Sequence, residues 1–470
     1  MGFSLTAVDL VIKNGKIVTS SFIVEADIVV DQEKIVALTK EAHLPSADTI
    51  VDAKGKFVLP GMVDAHSHLH EPDVSKTDFI TGTTAAAAGG WTTLLEMPIS
   101  LPGVWNQEVF EARVKLAESK CLVDIGLYGG GGIQNVDRIE ELAAAGAIGF
   151  KTFMNEPLES RAEEFIGLWV ANSGQQFQVM REIAKTGLPN AVHSEDADLI
   201  TVLTKELQEA GRMDPMAYIE SRPNVTEALA VSKVRLLAQA TGCRAHICHM
   251  HSSEGVKILM DAKAKEEQLT AETCPHYLVL TADDMERYGG PHGTYVKCAP
   301  PVGSKEDIIS LWRGLNNGAI DCIATDHSPF PHEQKETNIW DAAGGIPAFQ
   351  TTLPLLLTYG VNQGKIDLQQ LVKVTSENAA KIFSIYPQKG AIQMGSDADF
   401  VIIDLKREAT IEEQNLYTRG AYAVPYLGWK VKGLPTHTIC RGTVIMEDGV
   451  VIEEKSGHGV LVRPTQPNTE

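Results

Sequence analysis

Hydrophobic and polar residues alternate near the start of the chain, in short segments rich in valine and isoleucine. Such alternation between turn residues is typical of half-buried β-strands. The segments are 8–19, 23–30, 35–38 and 56–59. Asn14-Gly15 interrupts the first segment, and this dipeptide predicts a two-residue hairpin. The pattern therefore predicts that the chain begins in an all-β region.

The C-terminal part of the chain has the same texture. Its predicted strands are 397–404, 441–446 and 450–453. Asp448-Gly449 lies between the last two strands and is a second hairpin signal. Neither end of the chain is long enough to bury a core alone. We therefore predict one small β-sandwich domain formed by residues 1–60 and 390–470, with a larger domain over 61–389 inserted between them.

The middle of the chain alternates short apolar runs with amphipathic stretches of helical length, which is the pattern of a parallel α/β sheet. The candidate strands are 62–65, 92–97, 123–128, 148–153, 190–193, 244–249, 270–274 and 321–324. The clearest helical stretches are 107–119, 136–145, 175–186, 226–240 and 254–265. Successive strands are about 37 residues apart, a spacing that suits a closed (β/α)8 barrel of the TIM type. An open, doubly wound sheet is the alternative.

Composition narrows the class of protein. The 470 residues are 44% hydrophobic, which excludes a disordered chain, and a net charge of −20 disfavours nucleic acid or an anionic membrane as partner. The seven cysteines include no CxxC pair, and we expect reduced thiols. We see neither a secretory signal nor an apolar run of about 18 residues. These features predict a cytoplasmic protein without a membrane anchor.

Residues that bind metals recur at the predicted strand ends. His66 and His68 follow the first strand, and a spacing of two on an extended chain places both imidazoles on one face. The others are Lys151 within the fourth strand, His193 at the end of the fifth, His249 at the end of the sixth and Asp326 just after the eighth. Enzymes with a (β/α)8 barrel assemble their active sites at the carboxyl ends of the barrel strands. The combination predicts a metal centre.

Each residue alone has a simpler explanation, such as a hydrogen-bonded histidine or an aspartate that caps a turn. Lys151 is the exception, because an ammonium in an apolar strand needs a partner or a changed protonation state. In the sixth strand, His246, His249 and His251 are all candidates, and spacing does not choose between them. Three further histidines could touch a substrate or support the ligands. They are His70, His276 and His327.

Four motifs together resemble the cyclic amidohydrolases of the amidohydrolase superfamily. They are GMVDAHSH at 61–68, GFK at 149–151, HICH at 246–249 and TDHSP at 325–329. The resemblance covers essentially the whole chain. Within this group the chain is most similar to the allantoinases, through EMP at 96–98, TCPHY at 273–277 and GGIPAFQ at 344–350.

The resemblance implies two divalent cations per subunit, with zinc expected first and cobalt, manganese or iron as alternatives. His66, His68 and Asp326 would hold one cation, and His193 and His249 would hold the other. Lys151, carboxylated by CO2, would bridge them. A hydroxide held between the cations would attack a ring carbonyl while Asp326, the catalytic residue, carries the proton to the leaving nitrogen. The resemblance also implies a homotetramer. Substrate contacts would come from His70, Ala299, Ser328 and Gly345.

Departures from related groups narrow the expected substrate. Dihydroorotases carry an arginine at the position of His70, and hydantoinases and dihydropyrimidinases carry a tyrosine at that of Glu156. The resemblance therefore favours hydrolysis of allantoin to allantoate. A hydantoinase or dihydropyrimidinase of broad specificity is the alternative, and a non-catalytic assembly protein on the same fold is a more distant one. Ala299 replaces a usual serine and Asp73 a usual glycine; nothing in the sequence explains Asp73.

Overall fold

The computed structural model of the chain describes residues 7–40, 44–69, 71, 76–157 and 159–465. Its strands, β1 to β20, are Val8–Lys13, Lys16–Val18, Ile23–Glu25, Asp27–Asp31, Lys34–Thr39, Ala47–Asp52, Phe57–Pro60, Met62–Ser67, Trp91–Glu96, Asp124–Leu127, Gly129–Gly130, Phe150–Phe153, Asn190–His193, Ala245–Ile247, Leu269–Thr273, Cys322–Ile323, Phe400–Thr410, Lys430–Cys440, Thr443–Glu447 and Val450–Val451. Within these ranges no helix is both long and apolar enough to cross a membrane.

Strands β8 to β16 form a closed parallel barrel. One sheet has the order β10-β9-β8, and the other runs from β11 to β16 in sequence order. Strands β10 and β11 are two parts of one barrel strand, so the barrel has the eight positions that the sequence pattern predicts. Closure occurs next to β8, where Ser67 bridges in parallel to His327 and the Asp326 amide donates to the His66 carbonyl at 3.0 Å. The predicted barrel is confirmed, and the open sheet is wrong.

The α-helices, α1 to α15, are Phe79–Gly89, Gln107–Lys120, Ile139–Ala145, Ser173–Thr186, Ala197–Glu209, Pro215–Glu220, Asn224–Thr241, Ser253–Ala264, Pro275–Val279, Asp284–Tyr288, Lys305–Asn317, His332–Lys335, Phe349–Leu355, Leu368–Val372 and Asn378–Ile382. Each of the five predicted helical stretches overlaps one of them. Polar side chains cap several N-termini, as where Asp78 accepts from the Thr81 amide at 2.7 Å. Some helices pack directly on barrel strands, as α7 does on β14 and α8 on β15.

Two antiparallel-rich sheets form the β-sandwich. One has the order β5-β4-β1-β6, and the other has the order β20-β19-β18-β17-β7-β2-β3. Strand β17 pairs with β7, so the two ends of the chain share one sheet. Leu10, Val30, Phe400 and Ile439 belong to a buried core that draws on both sheets. The sandwich therefore depends on contacts between distant parts of the sequence, as predicted. The exact division of the chain at residues 60 and 390 stays a prediction.

The predicted hairpin at Asn14-Gly15 is wrong. Strand β1 pairs with β4 and β6, whereas β2 pairs with β3 and β7, so the turn carries the chain from one sheet to the other. Asn14 has a φ of 64°, which the dipeptide tolerates in a sheet-to-sheet connection as well as in a hairpin. The Asp448-Gly449 hairpin is confirmed, because β19 and β20 pair antiparallel across it.

The C-terminal segment also differs in detail from its predicted strands. Residues 430–440 form β18, which the sequence pattern misses, and the turn to β19 falls at Arg441-Gly442, inside a segment predicted as one strand. Farther along, the chain runs beside β10, where the Ile125 amide donates to the Val460 carbonyl at 3.0 Å. The last described residues therefore contact the barrel.

Candidate metal centre

All six predicted metal ligands lie at the same end of the barrel. His66 and His193 lie at the carboxyl ends of their strands, β8 and β13. His68 follows β8, Lys151 lies within β12, His249 follows β14 and Asp326 follows β16. Because the strands are parallel, their carboxyl ends meet at one rim. The structure thus brings together every residue of the predicted ligand set.

His66, His68 and Asp326 place three ligand atoms around one point. The two histidine Nε2 atoms are 3.2 Å apart, and Asp326 Oδ1 is 3.1 Å from His68 Nε2 and 3.3 Å from His66 Nε2. A tetrahedral cation with bonds of about 2.0–2.1 Å separates its ligand atoms by about 3.4 Å. The three atoms therefore fit the face of a coordination tetrahedron without rearrangement.

His193 and His249 form a second pair beside the first group. His193 Nδ1 lies 2.9 Å from His249 Nε2, and the His249 ring centroid is 5.4 Å from that of His66. The Nδ1 atom of His249 is buried and has no hydrogen-bond partner. The two groups of predicted ligands are thus contiguous, as two cations that share a bridging ligand require.

Lys151 is buried between these groups. Its Nζ contacts Cys248 Sγ at 3.1 Å and lies 5.0 Å from the Phe153 ring centroid. Among the described residues, no carboxylate lies within ion-pair distance of this ammonium. Burial, aided by the charge of Lys151, lowers the pKa of His66 to about 4. An uncompensated buried ammonium is costly, and conversion to an anionic carbamate would remove that cost.

Glu272 orients the first histidine. Its Oε1 lies 2.5 Å from His66 Nδ1, so the Nε2 of His66 is the nitrogen that faces His68 and Asp326. Its other oxygen lies 3.0 Å from His246 Nε2. A carboxylate behind a histidine fixes the tautomer of that ring, as is usual for metal ligands.

The three histidines of the sixth barrel strand have three different partners. His246 lies against Glu272, and His251 Nδ1 lies 2.7 Å from Glu227 Oε1. Only His249 turns a ring nitrogen to His193. Its φ is 37°, and that of Asp326 is 47°; both lie in the left-handed region that is uncommon for these residues. The strand-end backbone is thus bent where it presents two of the predicted ligands.

Glu195 supports the second pair. Its Oε2 is 2.9 Å from His193 Nε2 and accepts from Arg222 at 2.7 Å. Burial alone would raise the pKa of Glu195, but the charge of Arg222 and the hydrogen bond with His193 bring it to about 2. Sequence reasoning missed Glu195, Arg222 and Glu272. A buried glutamate within the apolar segment 269–274 was the available signal for Glu272, of the same kind as that for Lys151.

Three of the four predicted substrate contacts lie on neighbouring segments close to Asp326 in the chain or in space, namely Ala299, Ser328 and Gly345. The Ser328 amide donates to the Ile346 carbonyl at 3.2 Å, and a Cβ added to Gly345 would lie 2.5 Å from the Ser328 carbonyl oxygen. Glycine is therefore required at 345 by close backbone approach. The Gly345 amide donates to the Lys297 carbonyl at 2.9 Å, two residues before Ala299. His70, like Asp73, lies outside the described residues.

His327 and His276 have different surroundings. His327 Nδ1 accepts from the amides of Ala348 and Phe349 at 3.1 and 3.2 Å, and its ring stacks on Phe349, so this histidine holds the chain after Gly345. Both ring nitrogens of His276 are buried without a hydrogen-bond partner. Burial lowers the pKa of His276 to about 4, and the ring is neutral near pH 7.

Residues 57–445 match the amidohydrolase family. The chain belongs to this family. It is 38% identical to L-hydantoinase of Paenarthrobacter aurescens over 460 residues, which are 97% of this chain and 98% of that protein. It is 36% identical to allantoinase of Escherichia coli O139:H28 over 455 residues, or 95% and 97% of the two chains.

Solved structures agree with this assignment. L-hydantoinase (dihydropyrimidinase) from Arthrobacter aurescens has a TM-score of 0.92 at 37% identity and covers 97% of this chain and all of its own. D-hydantoinase from Thermus sp. has a TM-score of 0.88 at 30% identity, with 97% and 99% covered. The predicted fold class and family are confirmed. The chain is a hydrolase of cyclic amides, and its family generally uses a binuclear metal centre.

Proposed function

We propose that the chain opens the hydantoin ring of allantoin to give allantoate, with two divalent cations bound at the barrel rim. The observation that carries the metal assignment is the group of three ligand atoms from His66, His68 and Asp326, all within 3.3 Å of one another. The full-length similarity to allantoinases supports the choice of substrate. Assembly into a homotetramer stays a prediction from the family resemblance.

The buried residues fit the proposed cations. His66, His68 and Asp326 would hold the first, and His193 and His249 the second. Lys151 would carry a carboxylate added by CO2, which converts its ammonium into an anionic bridging ligand. Imidazole and carboxylate donors suit zinc, cobalt, manganese and iron alike, with zinc our first expectation. When bound, the two cations supply an activated water and polarise the ring carbonyl that it attacks.

Asp326 has the charge state that a proton carrier needs. Burial alone would raise its pKa, but the charge of His66 and the hydrogen bond with His68 bring the pKa to about 2. The carboxylate is therefore ionised near neutral pH. We assign Asp326 the role of accepting the proton of the attacking water and delivering it to the departing ring nitrogen. Backbone groups of Ala299, Ser328 and Gly345 would orient the ring beside it.

Glu156 supports allantoin over other hydantoins. This glutamate follows β12, the strand of Lys151, and its side chain is exposed. Its carboxylate can accept hydrogen bonds from the ureido N–H groups that allantoin carries and unsubstituted hydantoin lacks. A tyrosine at this position, which is typical of hydantoinases, would offer one hydroxyl instead.

A hydantoinase of broad specificity is the second candidate. Phe153 stacks on His193 with ring centroids 5.3 Å apart, and Phe165 lies 4.9 Å from Phe153. Both phenylalanines are partly exposed and could contact an apolar substituent on the ring. The similarity to L-hydantoinases supports the same alternative.

A side-by-side assay separates the two candidates. The purified metal-replete enzyme is supplied with allantoin, hydantoin, a 5-benzyl hydantoin, dihydrouracil and dihydroorotate at equal concentrations. We expect the highest kcat/KM with allantoin. A higher kcat/KM with either hydantoin would contradict the choice of allantoin while leaving the hydrolysis of cyclic amides intact.

A further inference from the structure

Two lysines are buried without a carboxylate partner beside the predicted substrate segments. Lys297 is 6% exposed and Lys335 is 1% exposed. Among the described residues, no acidic side chain forms an ion pair with either ammonium. Burial lowers the pKa of both to about 7, so keeping them charged costs free energy that a neutral side chain would not. Their position therefore calls for an explanation beyond packing.

Backbone carbonyls take the place of the missing carboxylates. The Lys297 ammonium donates to three carbonyls, those of Ile339 at 2.6 Å, Trp340 at 3.2 Å and Ala342 at 2.5 Å. The Lys335 ammonium donates to those of Gly345 at 3.0 Å, Ala343 at 3.1 Å and Lys297 at 3.4 Å. Hydrogen bonds from a charged donor are stronger than neutral ones. The two ammonium groups thus organise an irregular loop that has no regular ladder of its own.

Lys335 joins two separate segments of backbone. Its acceptors include the Lys297 carbonyl on the segment that leads to Ala299 and the Gly345 carbonyl on the other segment. The Gly345 amide donates to the same Lys297 carbonyl at 2.9 Å, which closes a ring of hydrogen bonds around the ammonium. The Tyr218 hydroxyl holds the neighbouring Cys298 carbonyl at 2.9 Å. One buried cation therefore holds the Gly345 carbonyl and the backbone two residues before Ala299.

The orientation of the peptide units follows from this arrangement. In a planar trans peptide the C=O and N–H point in opposite directions. When Lys335 holds the Ala343 carbonyl, the N–H of Gly344 must point away from the ammonium. Gly344 is exposed, and its N–H makes no hydrogen bond within the described residues. The lysine therefore leaves a fixed backbone donor free at the surface of the loop.

We propose that Lys335 is a positioning residue for substrate binding, because its ammonium locks the 297–299 and 343–345 segments in the geometry that receives the cyclic amide ring. This inference rests on the proposed function in one respect, namely that Ala299 and Gly345 border the substrate. It does not depend on which cyclic amide is hydrolysed.

Lys335→Met tests the inference, since it removes the ammonium and keeps a long side chain. We expect KM for the best substrate of the wild type to rise about tenfold or more, with kcat within about threefold and the bound metal unchanged, because lost positioning weakens binding rather than chemistry. Lys335→Arg, which keeps a positive charge, should show a smaller rise of KM than Lys335→Met. Lys335→Gln, which keeps two hydrogen-bond donors, should also raise KM, but less than Lys335→Met does. If Lys335→Met does not fold, the KM of Lys335→Gln tests the inference instead.

Lys263→Met is the matched control. Lys263 pairs with Asp321 at 2.7 Å near the opposite end of the barrel, so its removal should cost stability without changing KM. A folded Lys335 variant with the KM of the wild type would overturn the inference, as would an equal rise of KM in Lys263→Met. If the wild-type enzyme prefers a substrate other than allantoin, the proposed function is wrong but the inference about Lys335 is still tested. The KM values of the variants are then compared with that preferred substrate.

Discussion

Two clusters of buried ionisable groups lie at opposite ends of the barrel, and they are built differently. The rim cluster contains the six predicted ligands. The base cluster contains Asp124, Lys389, Asp397, Asp399 and Arg441. In the base cluster Lys389 Nζ pairs with Asp399 at 2.8 Å and with Asp397 at 3.0 Å, and it also contacts Asp124. Arg441 Nε donates to Asp124 at 3.1 Å. Every carboxylate there has a cationic partner.

The rim cluster has no such balance. The ligand atoms of His66, His68 and Asp326 converge on one point, and no cationic side chain of the described residues lies between them. The ammonium of Lys151 contacts a thiol instead of a carboxylate. In the base cluster, burial alone would lower the pKa of Lys389, but the carboxylates of Asp124 and Asp399 hold it well above its usual value. The base cluster, in which every charge is paired, therefore stabilises the fold. The rim cluster, in which several ligand atoms converge without a cationic side chain between them, is typical of a metal-binding site.

The position of the base cluster in the fold agrees with a stabilising role. Asp124 begins strand β10 of the barrel, whereas Asp399 and Arg441 adjoin strands β17 and β18 of the sandwich. The base cluster therefore ties the two parts of the structure together. Asp124, Asp399 and Cys440 could also be taken for a metal site from their proximity alone, but the two cationic side chains already occupy it.

The largest expected effect concerns the bridge at the rim. Lys151→Ala should lower kcat/KM by about 10⁴-fold, because both cations lose their shared ligand. Short-chain carboxylates such as acetate or propionate should restore part of the activity by entering the space left by the side chain. Steady-state kinetics with and without added carboxylate measures this. Full activity of the untreated variant would refute the bridging role.

The base cluster should respond in the opposite way. Lys389→Met should lower the free energy of unfolding by about 3–5 kcal/mol, because it leaves several carboxylates buried and unpaired. Metal content and KM should stay at the values of the wild type. Urea unfolding and metal analysis of the folded variant check both parts. Loss of bound metal from a folded Lys389 variant would remove the distinction between the two clusters.

A smaller effect is expected behind the rim ligands. Glu272→Gln should weaken metal binding about 10- to 100-fold, because His66 loses the carboxylate that fixes its tautomer. Glu227→Gln is the matched control, since Glu227 holds His251, which is outside the predicted ligand set. Titration of the metal-free proteins with zinc gives both affinities. Equal losses in the two variants would show a general effect of buried glutamates.

The smallest effect concerns substrate choice. Glu156→Ala should raise KM for allantoin about fivefold relative to that for hydantoin, as loss of one exposed hydrogen bond predicts. Glu159→Ala, an exposed glutamate close by, should leave the ratio unchanged. Kinetics with the two substrates measures the ratio. An unchanged ratio in the Glu156 variant would remove that residue from the account of specificity.

Some parts of this structure can be predicted from the sequence, and others cannot. The barrel strands and the rim residues follow from local patterns, because parallel strands bring their ends together whatever their exact length. Strand β18 escapes prediction because Gly433 and Pro435 interrupt its pattern. The Asn14-Gly15 turn is misread because only distant partners decide which sheet a strand joins. Glu272 is missed because its role arises from contact with His66, 206 positions away.

We claim above all that the rim cluster is a binuclear metal centre. Metal analysis of the purified wild-type protein after growth with abundant zinc tests this claim most directly. We expect about two bound cations per chain. One cation per chain would contradict the binuclear centre, and fewer than about one would favour a non-catalytic protein on this fold.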